Sequence, residues 1–496
     1  MKKRYATGRA GGTSLTLVVL LIAVGCTSTS APTPPPRPAV APASQPTGSL
    51  GLDPSSMKPM YRELLAIDLP TVARVAVAQN LDIQQAKYRV QAQRGRYDAS
   101  VQALLPVIAP SIGFQRVDGA NQDASGTLVD ADFSNIVPAV TLQWILNPGR
   151  AIYDIIASKK RLQATREQLQ ATELDTLRLA AVQYYDLILA QAKVAFARQA
   201  VEQARESLRL TNLRARAGTG LAADELRATA FLAGRQQDLL IALNSFYNAS
   251  VALTVSLHLD PTVTLVPRAE KIDQVMLVDD QLGVERLMAI AVVHRPDLQA
   301  ARTLLAAVQS DRGSVAWGAL GPQLQAAYTY GGLEANVSGD SSGLQEQQKA
   351  SASAGFNFSA ATFGQLKTSR ANQRTAATQV EQQLDRVRAE VVRAQLASGT
   401  NIELLPIARE QVAAANEALR LAQTNLKSGT MLLIDVLQAQ NELDAARLRY
   451  ADAVIRYNQS QITLLAALGL LEDATLQPQR AVEVPSDDET LPGSRF

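Results

Sequence analysis

The chain carries one pattern twice, at a constant offset of 211 residues. Leu208-Arg209-Leu210 returns as Leu419-Arg420-Leu421, and Gly218-Thr219 returns as Gly429-Thr430. Asp224 and Leu226 return as Asp435 and Leu437. Upstream, Gln79-Asn80-Leu81-Asp82-Ile83 parallels His294-Arg295-Pro296-Asp297-Leu298, and Pro106 parallels Pro322. A duplicated unit must fold as two similar halves, so the repeat constrains the fold before any motif does.

The same register continues beyond each Gly-Thr. In the second copy Val436, Leu443, Tyr450, Tyr457 and Leu464 recur every seventh residue, with Ala439, Ala446, Ala453, Ser460 and Ala467 between them. In the first copy Leu232, Leu239, Phe246 and Leu253 fill the large positions, and Ala228, Ala242, Ala249 and Ser256 the small ones; Arg235 is the exception. Small residues on a heptad seam let helices approach closely.

Each half reads as helix–strand–strand–helix–helix. A helix from near Leu69 to Ala103 ends at Pro106 and Pro110, since proline cannot continue a helix. Strands are predicted at Ser111–Val117 and Ile136–Trp144, with Pro138 confined to a strand start or an edge. After Asn147-Pro148-Gly149 a helix of nearly seventy residues runs to Arg216, and another follows from Gly218 to near Leu257. The second half repeats this plan. It has a helix at Val284–Trp317, strands at Gln323–Tyr330 and Ser351–Phe358, a long helix to Leu426 and a last helix to Leu468. Pro406 should kink or locally unwind the long helix. Two shorter helices sum to the length of the long one and could stack beside it. At 1.5 Å per residue the long helices reach roughly 100 Å.

The first 25 residues read as a lipoprotein signal peptide, with Lys2, Lys3, Arg4 and Arg9 before the apolar run Leu15–Ala23. Ala23-Val24-Gly25-Cys26 resembles the bacterial lipobox, with Ala23 where Leu is usual. Cys26, the single cysteine, is therefore the expected site of lipid attachment and leaves no intramolecular disulfide. Residues 26–68 form a lipidated N-terminus and Pro-rich tether. Beyond it no uninterrupted apolar run approaches the about 20 residues of a spanning helix, so any membrane crossing must use strands. The formal charge is +2 with four positive charges in the leader, leaving the remainder near −2, and no nucleic-acid partner is implied. Four short strands cannot close a barrel, and open edges are not tolerated in lipid, so oligomerisation must supply the rest. Three copies would give twelve strands. Tyr184 and Tyr185 read as packing residues. His258 and His294 fall at different repeat positions, and no metal site, catalytic set or cofactor motif is present.

With the doubled unit, Leu105-Pro106 and Gly321-Pro322 before the strands, and the tip Gly429-Thr430-Met431-Leu432-Leu433-Ile434-Asp435-Val436-Leu437, the chain resembles the TolC family of outer-membrane efflux proteins. Its N-terminus is closest to the OprM and NodT branch. The resemblance implies a mainly α fold with a small β part: long antiparallel helical hairpins forming a periplasmic tunnel, and four strands contributed to a trimeric twelve-stranded transmembrane barrel. It divides the chain into repeats at 69–260 and 284–470, an equatorial linker at 261–283 and an equatorial or disordered tail at 471–496.

No residue set supports an enzyme. The resemblance implies the outer-membrane exit duct of a tripartite efflux system, working as a homotrimer in outer-membrane lipid. The partners it implies are a periplasmic membrane-fusion adaptor and an inner-membrane pump, of the resistance–nodulation–division (RND) type in preference to others. A duct for a protein exporter and a poreless periplasmic coiled-coil scaffold are the alternatives. Asp435 falls at the family's acidic constriction. Met431 replaces its latch arginine and Gln438 its second aspartate, so Met431, Leu432 and Leu433 are candidates for an apolar gate. Gly218, Thr219, Asp224, Gly429 and Thr430 are the expected tip and adaptor contacts.

Overall fold

In a computed structural model the described residues are 63–122, 125–217, 222–268, 272–279, 282–337, 340–341, 343–356, 359–428 and 430–472. Cys26, the leader and tether residues to 62, Gly218, Thr219, Gly429 and Phe358 lie outside them. All the described residues belong to the unit Ala43–Phe496.

The first half opens with β1 (Glu63–Ile67), α1 (Leu69–Gln79) and α2 (Leu81–Gln102). The strands β2 (Val107–Gln122) and β3 (Leu128–Leu146) follow, then α3 (Pro148–Arg216), α4 (Ala222–Ser256) and β4 (Val263–Pro267). The second half contains α5 (Val284–His294), α6 (Pro296–Leu320), β5 (Gln323–Val337), the two-residue β6 (Asp340–Ser341) and β7 (Gln345–Gly355). It ends with α7 (Ala361–Lys427) and α8 (Leu433–Ala467).

The expected first helix of each half is two helices. Asn80 leaves the helical region and its side chain accepts from the N–H groups of Asp82 (2.8 Å) and Ile83 (3.2 Å), capping α2. In the second half Arg295 is extended, as a residue before proline prefers, and Pro296 opens α6. The paired segments at these breaks are the ones that matched in sequence. Asn147 caps α3 in the same way, accepting from Arg150 N–H at 3.0 Å, with Pro148 in the first turn.

Pro406 does not interrupt α7. The helix runs through it with the ring on an exposed face, so the expected local unwinding is absent. α4 alone among the described helices is long and apolar enough to cross a membrane by length and composition, contrary to the sequence expectation. It lies packed along α3.

Two segments read as tether and linker are ordered. β1 and β4 pair in parallel, Leu65 opposite Leu265. Residues 272–279 are pinned to α8: Asn458 Oδ1 accepts from Val275 N–H (2.9 Å), and Gln461 Oε1 accepts from Leu277 (3.0 Å) and Val278 (2.8 Å). The main core gathers here, around Tyr184, Tyr185, Phe246, Leu253, Val391, Ile455 and Ile462. Burial pushes the Tyr185 hydroxyl up to about 12, as expected of a packing residue.

Four columns result. α2 and α4 flank α3, α6 and α8 lie between α3 and α7, and α7 forms the last column. The sheet keeps that order, β2-β3-β5-β7, all antiparallel. Each strand therefore sits on the column it is joined to in sequence. Trp144 ties the two layers, donating its indole N–H to Leu104 O at 2.9 Å.

Candidate channel-forming site

The strands are longer than the sequence suggested, 16 residues in β2 and 19 in β3. Their register sorts side chains onto two faces, because neighbours in a strand point to opposite sides. One face carries Ile108, Ile112 and Phe114 of β2, Ile136, Val140, Leu142 and Trp144 of β3, Leu324, Tyr328 and Tyr330 of β5, and Ala350, Ala352 and Ala354 of β7. The other carries Ser111 and Gln115, Thr141 and Gln143, Gln325 and Thr329, and Ser351 and Ser353. On that polar face the hydroxyls of Thr141 and Thr329 are hydrogen-bonded at 3.1 Å. Most of the large apolar side chains are exposed in the single chain. A surface this apolar on one side and polar on the other is what a barrel wall between lipid and water needs.

Pro138 is in the central strand β3 and not at a start or an edge. The β3–β5 ladder lapses opposite it, between Ile136↔Glu334 and Ala139↔Gly331, while the β2 pairing continues through Ile112↔Pro138. Proline has no N–H to donate, and the lapse falls where that donor would be used.

Among the described residues the outer edges of β2 and β7 have no partner strand. The helical layers are open on the same two sides. α4 exposes Leu226, Leu240 and Ile241 on its side, and α7 exposes Leu396, Ile407 and Leu421 on the other.

At the far end of the helices the two tips pack on each other. Leu433 is buried against Ala228 and Leu437, with Leu208, Phe231 and Leu426 around them. Leu433 thus faces the first hairpin within its own chain. Met431 is partly buried at the edge of the cluster formed by Leu419, Ala422, Val436, Ala439 and Leu443, while Leu432 and Ile434 are exposed. Asp435 stands in the first turn of α8, exposed, and its Oδ2 accepts from Leu432 N–H at 3.1 Å. Its carboxylate thus satisfies one of the free donors at the helix start. Thr430 Oγ1 donates to Asn425 O at 3.1 Å, closing the turn. Asp224 pairs with Arg227 on its own helix at 3.3 Å. Arg214 reaches across and donates to Leu426 O at 3.1 Å. Both hairpins carry the same ion pair, Glu206–Arg209 and Glu417–Arg420, each at 2.6 Å.

A second contact between the hairpins centres on Arg235. Its guanidinium pairs with Asp238 (3.2 Å) and Asp444 (3.6 Å), donates to Asn441, and lies 4.8 Å from the ring centroid of Phe231. Both Arg235 and Asp444 are largely buried. Burial raises the Asp444 carboxyl above its ordinary range, against the pull of Arg235 and Arg447. Sequence reading registered Arg235 only as a misfit in a row of small residues. That misfit was the available signal: a cation on an apolar seam needs a buried anion opposite.

A family model described as outer membrane efflux protein matches residues 72–257 and 287–470. The chain belongs to that family. Its members are channels and not enzymes. The fold agrees with solved members. The outer-membrane channel OprN is 21% identical, with a TM-score of 0.69 over 86% of this chain and 98% of that one. The Campylobacter jejuni CmeC outer membrane channel is 18% identical, with a TM-score of 0.69 over 81% and 85%. The Neisseria gonorrhoeae MtrE outer membrane channel, solved in its open state, is 19% identical, with a TM-score of 0.66 over 81% and 89%. No curated protein matches.

Proposed function

We propose that three copies of this chain close side by side into a twelve-stranded barrel and a helical tunnel, the outer-membrane exit duct of a tripartite efflux system. The carrying observation is that strand and helix layers are open on the same two sides, β2 with α2 and α4 on one and β7 with α7 on the other. One rotation therefore satisfies the backbone edges and covers the exposed apolar helix faces together, as a closed cyclic assembly requires. This also accounts for α4, whose apolar character serves a helix–helix interface and not a membrane crossing. Four columns cannot close alone, and three copies give the twelve strands of a barrel wide enough to carry solute.

The duct has no nucleotide site or redox group of its own in this reading. Energy comes from an inner-membrane pump, RND type in preference to others, through a periplasmic adaptor that grips the tips at Gly218, Thr219, Asp224, Gly429 and Thr430. Three copies of Asp435 ring the constriction, with Leu432 and Met431 beside them. Leu433 is omitted from the gate because its own hairpins bury it. Cys26 carries the lipid anchor. The test is purification of the full chain from outer membranes. A heat-modifiable trimer that conducts ions in planar bilayers supports the reading, and a species that neither trimerises nor conducts overturns it. Loss of lipid labelling in Cys26→Ser tests the anchor separately.

A further inference from the structure

The two faces of β2, β3 and β5 exchange character along their length, while the outer part of β7, Gln345 to Lys349, is polar on both. Near the helices the lipid-side positions are apolar, up to Phe114 and Ile136. Glu334 already stands opposite Ile136, and further out the same positions become Arg116, Asp118, Asp130 and Asp132, with Arg116 and Asp132 3.7 Å apart. The opposite face changes the other way. Past Gln115 and Asn135 it carries Val117 opposite Phe133, and Val129 beyond, while Val137 and Leu333 stand just inside. A spanning strand needs about 9–11 residues, so strands of 16 and 19 residues project well beyond a bilayer. An apolar inner face there serves no lipid.

The exchange coincides with a weak row across three strands. Gly113 of β2 stands opposite Val137, next to Pro138 of β3, at the lapse in the β3–β5 ladder. Gly331 and Gly332 of β5 lie on the far side of that lapse, and a Cβ on Gly331 would stand 2.4 Å from Pro138 O. Glycines and ladder breaks at one level are how sheets bend. Beyond this row Val117 and Gly119 are the only partly covered positions of β2 and Phe133 is half-buried, as is Val137 in the row itself.

We propose that the outer ends of the strands lean inward at this row, so that Val117, Phe133, Val137 and Leu333 of three copies form an apolar collar at the outer mouth. The occupant of each apolar face is then the same face of the other two copies, with the charged face left to water. Such a collar narrows the exit and resists hydration, which makes it a second barrier at the opposite end from the tip. The inference rests on the trimeric channel reading.

The test uses purified full-length trimers in planar bilayers. Val117→Ser with Phe133→Ser should raise unitary conductance at least about two-fold, because a wetted mouth conducts more readily. Independently, Phe133→Cys should be cross-linked between copies by a short bis-maleimide, with wild-type trimers as the control. Unchanged conductance in the double variant, or absence of cross-links at position 133, overturns the collar. Wild-type trimers that fail to conduct at all overturn the channel reading instead, so the two failures are distinct.

Discussion

At Asp435 the carboxylate is engaged by the N–H of Leu432, and in a three-fold ring it also faces two copies of itself. Two substitutions separate these roles. Asp435→Asn keeps an acceptor and loses the charge, whereas Asp435→Ala loses both. Cation selectivity in planar bilayers should fall in both variants if the ring is real, with the Ala variant also losing about 0.5–1 kcal/mol at the helix start. Selectivity that survives Asp435→Asn would leave the residue with a capping role alone.

Arg235 is the sharper case. Removing it leaves the largely buried Asp444 with only the weaker pull of Arg447 against the repulsion of Asp238, at a cost of about 2 kcal/mol. The folded Asp444 carboxyl holds its proton to a higher pH than it does in the unfolded chain. Its contribution to stability is therefore greatest below the ordinary carboxylate range and declines as pH rises through the raised value. Arg235→Ala should steepen that decline, and adding Asp444→Asn should restore the thermal midpoint. Melting curves from pH 4 to 7 read this directly; a midpoint in Arg235→Ala equal to wild type would show that the contact between hairpins carries no load.

Among the elements, the segment 272–279 depends on α8 more than on itself. Gln461 is fully buried, accepts from two backbone N–H groups and donates to Ser398 Oγ at 2.8 Å. Gln461→Ala strands buried donors, each worth about 1–3 kcal/mol. Fast hydrogen exchange at Leu277 and Val278, with the helices unchanged, is the expected result. On the sheet, Val140→Arg on the apolar face should cost about 2–4 kcal/mol and impair assembly into outer membranes, while the adjacent Thr141→Arg should be tolerated. Equal effects of the two would mean that the faces are not sorted between lipid and water. The helices themselves were legible because heptads and capping residues are local signals. The breaks at Asn80 and Arg295 were written in the sequence too, as a cap and a pre-proline residue, but only the geometry showed that they end helices. Strand lengths were read short because the apolar band ends before the strands do.

For the whole molecule, assembly should depend on the two open sides. Ile407→Arg on the exposed side of α7 should weaken the trimer without unfolding the chain, seen as a monomer with native helicity in size exclusion with circular dichroism. A trimer as stable as wild type would place the interface elsewhere. The sequence by itself determined the duplication, the helical hairpins and the four main strands, though not β1 and β4, because periodicity, proline and glycine act over a few residues and a repeat declares itself. Which side of each helix stays uncovered, that Leu433 turns inward while Leu432 does not, and that Arg235 meets Asp444 were decided only by tertiary structure. Those facts depend on which columns become neighbours, and residues 209 positions apart in the chain leave no local trace of meeting.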